Sequence, residues 1–307
     1  MTDKKATVAV FRAANNWPLY AAVGNKTLEE AGIQVEVVHI SSSKQQMEGL
    51  IEGRYDVIHT AADNVVAVHV EPDYGAVVDK PRIFMGGDDG FLSLHSSGKV
   101  RSFGELKGKR VGFDSTKSGF AFVLKKILAA EGLKEGAYSE VVVGGTELRY
   151  KALVDGSTDV AIMTPPHDLL CSAAGFTKLA DAARYVPRYQ GLVGACRLTS
   201  PLAPFLSEYR AALVDGLSWL RERRNKAAAI EVLRENLRAG GDGKLYSDLY
   251  DSMLSRHSGG FDASGSVDPE GLQIVATLRG EFSVSAALRP LSEYLMRPSL
   301  MKAGGRA

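Results

Sequence analysis

Residues 50–57, Leu-Ile-Glu-Gly-Arg-Tyr-Asp-Val, recur as residues 153–160, Leu-Val-Asp-Gly-Ser-Thr-Asp-Val, at a constant offset of 103. Four of the eight positions are identical, one exchanges aliphatic for aliphatic and one acid for acid, so the pair is a candidate internal repeat. Each octet reads as one physical event. Leu closes an apolar helix face, Gly takes the left-handed conformation that stops the helix, and Asp opens a β-branched strand. Helix–Gly–strand junctions also recur by chemistry alone, so the weight falls on the order of the flanking elements.

Working outward from the first octet, residues 6–11 (ATVAVF) read as a strand, 12–16 as a polar loop and 17–31 as a helix. Residues 34–40 (QVEVVHI) read as a second strand, Ser41-Ser42-Ser43 as N-cap residues, and 44–52 as a helix. A third strand at 55–60 and a helix from Ala61 follow. Around the second octet the same order returns: strand 110–113, loop 114–119, helix 120–131, strand 140–143, turn 144–146, helix 147–154, strand 159–163 and a loop at Thr164–Asp168 that opens a helix. Two βαβαβα runs predict two α/β lobes, each a mostly parallel, doubly wound sheet, with a ligand cleft between them. From Pro204 the pattern becomes helical (205–223, 226–237, 245–254, 269–279), and these helices are expected to pack on lobe one. The tail, 302–307, reads as frayed.

Composition narrows the function. Thirty-seven Lys and Arg against 36 Asp and Glu give no electrostatic footprint for nucleic acid or an anionic membrane. The charge run at 221–224 lies on a predicted helix and reads as a solvated face. Cys171 and Cys196 lack CxxC spacing and a companion His cluster, so they read as buried free thiols, with no metal site and no cofactor expected. No run reaches the roughly 18 apolar residues that span a bilayer. The start, Met1-Thr-Asp-Lys-Lys, shows no apolar leader, which leaves two expectations: a cytoplasmic chain, or a periplasmic one whose leader was removed.

The segment Ser102-Phe-Gly-Glu-Leu-Lys-Gly-Lys-Arg-Val-Gly112, together with the octet at 50–57, resembles the type 2 periplasmic binding proteins. Within them the likeness is to the nitrate, sulfonate and taurine substrate-binding components of ABC importers and their thiamine-precursor-binding relatives, over nearly the whole chain. The resemblance implies two crossings between lobes, with hinges near Asp89–His95 and Gly191–Arg197. It places residues 1–92 and 196–307 in lobe one and 93–195 in lobe two, and implies a small-molecule ligand and an ABC permease as partners.

In open α/β sheets, ligands collect beyond the carboxyl ends of the strands, where helix N-termini offer unpaired N–H groups. In lobe one that position selects Arg12, Asn15, Asn16 and Trp17, then Ser41, Ser42 and Ser43, then His59, Ala62 and Asp63. In lobe two it selects Asp114, Ser115, Thr116, Ser118, Gly119 and Phe120, then Thr146, then Thr164 and His167. A bound ligand is expected to touch both Ser41–Ser43 and 114–120. The loop at 114–119 resembles an anion cradle but lacks the Walker spacing. Trp17, Phe120, Tyr185 and Tyr189 are either aromatic walls or core and hinge packing. Arg12 and Arg149 are either oxyanion clamps or salt-bridge residues. Asp63, Asp88, Asp89, Asp114 and Asp168 point to a ligand carrying an amine, amidine or several hydroxyls, unless they cap helices.

His59 and His167 occupy matching places after the third strands, where an imidazole serves as a base; a structural role is the favoured reading, because no Ser/His/Asp order accompanies them. An enzyme on the same fold is the alternative to a binding protein: a lyase, a decarboxylase or a thiamine-pyrimidine-type synthase. By resemblance, desulfinases carry a nucleophilic Cys where this chain has Asn15 and Asn16, and pyrimidine synthases carry a cysteine-rich segment that this sequence lacks. A sensory domain would require a fused signalling module.

Overall fold

The computed structural model describes residues 4–240, 242–254, 260–283 and 287–301; the expected frayed tail lies outside them. Ten strands and eleven α-helices follow one another among those residues. In order they are β1 (Lys4–Phe11), α1 (Trp17–Gly24), α2 (Thr27–Glu30), β2 (Ile33–Ile40), α3 (Ser43–Ile51), β3 (Val57–Ala61), α4 (Ala62–Val70), β4 (Arg82–Gly86) and β5 (Ser93–Ser96). Next come β6 (Arg110–Phe113), α5 (Gly119–Ala130), β7 (Ser139–Val142), α6 (Thr146–Val154), β8 (Val160–Met163), α7 (His167–Ala173), β9 (Thr177–Asp181) and β10 (Leu192–Cys196). The chain closes with α8 (Leu206–Arg221), α9 (Lys226–Leu237), α10 (Gly243–Leu254) and α11 (Pro269–Phe282).

The repeated octets sit where the sequence puts them. Gly53 and Gly156 are left-handed, at φ of +82° and +77°, and Leu50 and Leu153 are buried. The repeated Asp does more than open a strand. The Asp56 carboxylate accepts from the Thr7 N–H at 2.9 Å, and the Asp159 carboxylate accepts from the Arg110 N–H at 2.8 Å. In return the Asp56 and Asp159 N–H groups donate to the carbonyls of the same two residues. Each octet therefore clamps the entry to its third strand onto the first strand beside it.

Two five-stranded sheets result, ordered β2-β1-β3-β10-β4 and β7-β6-β8-β5-β9. In each, the first three strands run parallel and one strand enters antiparallel beside the third. That strand is the crossing strand: β10 returns to sheet one after β9, and β5 enters sheet two after β4. The resemblance set the hinges at 89–95 and 191–197, but Ser93–His95 and Leu192–Cys196 are paired in ladders, so the crossovers are the loops 87–92 and 182–191. Residues 193–195, assigned to lobe two from sequence, pair with β3 and β4 of sheet one.

One predicted helix is two. Residues 17–31 break at Lys26, which takes φ +67°, and the Asn25 side chain accepts from the Thr27 N–H to start α2. Helices α8 and α9 pack on lobe one through α1, as expected, while α10 also meets α7 and α11 lies against both α4 and α5. The C-terminal segment thus joins the lobes on two sides. Among the described residues no helix is long and apolar enough to cross a membrane.

Candidate functional site

Helix α4 begins directly after β3 and carries Asp63 in its first turn, where a carboxylate complements the helix N-terminus. From lobe two, Ser118 caps α5 by accepting from the Ala121 N–H, and Gly119 begins that helix. The two N-termini meet: the Gly119 N–H donates to the Asp63 carboxylate across the seam. A Cβ at position 119 would lie 2.5 Å from Asp63 Cβ and 2.5 Å from the Tyr189 hydroxyl, so this approach requires glycine.

Asp63 is held by a residue that the sequence reading missed. Arg279 on α11 donates from Nε to Asp63 Oδ1 at 2.8 Å and from Nη2 to Oδ2 at 2.5 Å. It also donates to Glu71 Oε1 at 2.5 Å and to the Lys117 carbonyl of lobe two at 3.1 Å, and its guanidinium lies 5.0 Å from the Phe122 ring centre. Burial raises the Asp63 carboxyl, and the Arg279 fork and the Gly119 N–H oppose it. For Arg279 burial acts downward, yet Asp63 and Glu71 carry the guanidinium above its ordinary value. A guanidinium does not deprotonate in proteins, so a full positive charge faces the two carboxyl groups. The signal available in the sequence was a charge on an apolar stripe, since Leu272, Val275, Ala276 and Arg279 share the buried face of α11.

A second knot ties the crossovers. Asp88 Oδ1 accepts from the Gly90 N–H at 2.7 Å and the Leu192 N–H at 3.2 Å, while its carbonyl accepts from the Gly191 N–H and the Gln190 amide. Burial pushes the Asp88 carboxyl up to about 7, against the lowering by those N–H groups and by the Asn15 side chain. A cavity of about 360 Å³ opens beside the knot, lined by Asp88, Asp89, Tyr189, Gln190, Arg221 and Asp262 among others. Of the residues expected at the cleft, Asp88, Asp89 and Tyr189 line it.

The remaining expected residues divide sharply. His59 is buried with both ring nitrogens engaged, Nδ1 3.1 Å from Asn16 Oδ1 and Nε2 2.9 Å from the Tyr209 hydroxyl, and burial lowers it to about 4. Asn16 in turn donates to the Phe11 carbonyl, so the chain Tyr209–His59–Asn16 fixes the loop after β1. A water-sized void of about 20 Å³ lies among Asn15, Asn16, His59 and apolar side chains. Ala62 is packed in the core. Trp17 is no wall: it is fully buried, donates to the Ala229 carbonyl and packs edge-on against Tyr250.

Arg12 is exposed and donates to the Asn236 carbonyl on α9. Ser41, Ser42 and Ser43 are exposed; Ser42 accepts from the Gln45 N–H as the N-cap of α3. In lobe two, Arg149 spends its fork on the carbonyls of Ile162 and Gly144 and on the Thr146 hydroxyl, which lies 3.2 Å from that of Thr164. His167 tilts against Tyr150, and burial lowers it to about 4. Asp114 accepts from Ser118, the Lys117 N–H donates to Ser115, Thr116 is exposed, and Phe120 packs against the core. Tyr185 donates to Glu131 rather than facing the seam. The structure therefore brings Asp63, Asp114, Gly119 and Tyr189 around one seam, with Asn15 at Asp88 of the crossover knot, while Asn16 and His59 are bonded within lobe one. Arg12, Ser41–Ser43, Thr146 and His167 keep to their own lobes.

Two open sheets of one strand order, linked by two crossovers and meeting at facing helix N-termini, make a two-lobed binding-protein fold of the periplasmic type. The NMT1/THI5-like family matches residues 13–185, more than half of the chain, and the chain belongs to that family. No curated protein matches it. Among solved structures it is similar to the alkanesulfonate-binding protein SsuA from Xanthomonas axonopodis pv. citri bound to MOPS, at 17% identity, TM-score 0.76, covering 97% of this chain and 99% of that one. It is also similar to the ligand-binding component of an ABC-type import system from Staphylococcus aureus with zinc bound, at 13% identity, TM-score 0.77, covering 99% and 100%. The periplasmic nitrate-binding protein NrtA from Synechocystis PCC 6803 matches at 14% identity, TM-score 0.76, covering 97% and 87%. At these identities the likeness establishes the fold.

Proposed function

We propose that the chain is the solute-binding component of an ABC-type importer, a non-catalytic protein that closes two lobes on a small molecule and hands it to a permease. The observation that carries this reading is the contact of Asp63 with Gly119, where the helix N-termini of the two lobes meet beside both crossovers. Such a seam opens by rotation about the segments 87–92 and 182–191. Solved relatives of the fold named as sulfonate-binding, nitrate-binding and ABC import components support it. By the same reading the protein works outside the cytoplasm, and Asn15, Asp63, Asp88, Gly119 and Tyr189 face the ligand.

The residues that would serve an enzyme are otherwise employed. Both nitrogens of His59 are bonded within lobe one, and burial pushes the thiols of Cys171 and Cys196 up to about 12. The test is a thermal-shift screen over amines, amidines, pyrimidines, sugars, sulfonates and carboxylates, with each stabilising compound then followed by mass spectrometry. A compound that raises Tm and is recovered unchanged is the expected result. Conversion of that compound to a product would overturn the reading.

A further inference from the structure

We infer that Asp63 is a specificity residue that keeps small oxyanions out of the cleft, so that the solute taken up there is neutral or cationic. The inference rests on the binding-protein reading and narrows its ligand class.

The N-terminus of a helix attracts anions because its first N–H groups are unpaired and its dipole is positive there. Helix α5, twelve residues long, presents such an end to the seam. In this chain the place is taken: the carboxylate that receives the Gly119 N–H belongs to Asp63 of the opposite lobe. Asp63 stands in the first turn of α4, so one carboxylate complements both helix ends.

The guanidinium at the seam is taken as well. A guanidinium carries five N–H groups. Arg279 directs two to Asp63, one to Glu71 and one to the Lys117 carbonyl, which leaves no fork for a sulfonate or carboxylate. Against Arg279 stand Asp63 and Glu71, both buried, and beside Asp63 lies the half-buried Asp114, which the buried Arg149 also faces from lobe two. An incoming anion would meet that excess of carboxylates in a low-dielectric setting, whereas a cation or a neutral dipole would not be opposed.

What the seam does offer is a hydroxyl. The Tyr189 Oη is buried, has no hydrogen-bond partner among the described residues, and lies beside Gly119. A buried polar atom left unmatched costs free energy that a ligand amine, carbonyl or hydroxyl recovers.

The experiment compares the wild-type chain with Asp63→Ala, using acetate, nitrate and methanesulfonate as probes and chloride at equal ionic strength as the reference. The wild type should show no saturable rise in Tm beyond chloride. Asp63→Ala should melt lower and regain Tm saturably with acetate or methanesulfonate, with apparent affinity at least tenfold above that of the wild type. Adding Arg279→Met to Asp63→Ala should abolish the rescue. If Asp63→Ala does not fold, Asp63→Ser, which also vacates the place of the carboxylate while keeping a polar side chain at the helix start, carries the same comparison. Saturable stabilisation of the wild type by these anions, or a folded Asp63 variant that gains none, would overturn the inference. Turnover of a compound from the screen would sink the binding-protein reading and leave this anion comparison untouched.

Discussion

The two sheets share one strand order and one Asp clamp, yet their third strands end in opposite chemistry. After β3, Asp63 reaches across the seam to Gly119 and is gripped by Arg279. After β8, Thr164 and His167 turn back into their own lobe, toward Thr146 and Tyr150. The difference follows from α11, which follows the repeated region and has no counterpart in it. The repeat builds two equivalent scaffolds; the unrepeated helix makes one of them the active side of the seam.

The two sides of the seam differ most in their buried arginines. Arg279→Met leaves Asp63 and Glu71 buried without a counter-charge, and should cost about 3–5 kcal/mol in denaturant unfolding. Arg149→Met removes an equally buried fork whose bonds go to carbonyls and a hydroxyl, and should cost about 1–3 kcal/mol. Equal losses would show that the ionic character of the seam is irrelevant.

A smaller effect separates two glycines. Gly119→Ala drives a Cβ into Asp63 and Tyr189, so it should cost about 1–3 kcal/mol and enlarge the radius of gyration in small-angle scattering. Gly145→Ala, at the start of α6 with nothing within 4 Å of the added Cβ, should change neither by more than about 0.5 kcal/mol or its equivalent in shape. An unchanged scattering profile for Gly119→Ala would separate the close contact from lobe closure.

The mildest expected effect is one of pH. The folded Asp88 carboxyl is pushed up to about 7 by burial, whereas an unfolded Asp titrates near about 3.9. Between those values the folded state holds the extra proton, so this group's contribution to stability is present at low pH and lost as pH rises toward 7. Asp88→Asn keeps an acceptor for Gly90 and Leu192 and cannot ionise. Its stability relative to wild type should therefore climb from pH 4 to 7 and level off above. Histidines lowered by burial, such as His59 and His95, titrate alike in both proteins and cancel. A difference that is flat with pH would remove Asp88 from the crossover knot as a titrating group.

Much of the scaffold was legible because it is written locally. Strand ends, left-handed glycines and the Asp that opens each third strand are features of a few adjacent residues, and they recur at one offset. The seam was legible where position decides it, at Asp63, Asp114 and Gly119. Arg279 lies 216 residues from Asp63, and nothing local joins them. Ser41–Ser43 has the composition of a ligand loop, but the backbone of α3 uses Ser42 as a cap and all three stay exposed. Trp17 has the position of a wall residue, but the C-terminal helices cover it, and their docking has no signature in the repeat.

A protein that captures its solute between two lobes must move them about the two crossovers. Cysteines introduced at exposed Ser43 and Leu148, against native Cys171 and Cys196 that are fully buried, allow one spin label per lobe. Distances between the labels measured by pulsed electron resonance should be broad without a stabilising compound and collapse to one shorter population with it. A single distance, unchanged by any compound that raises Tm, would contradict a protein that works by closing.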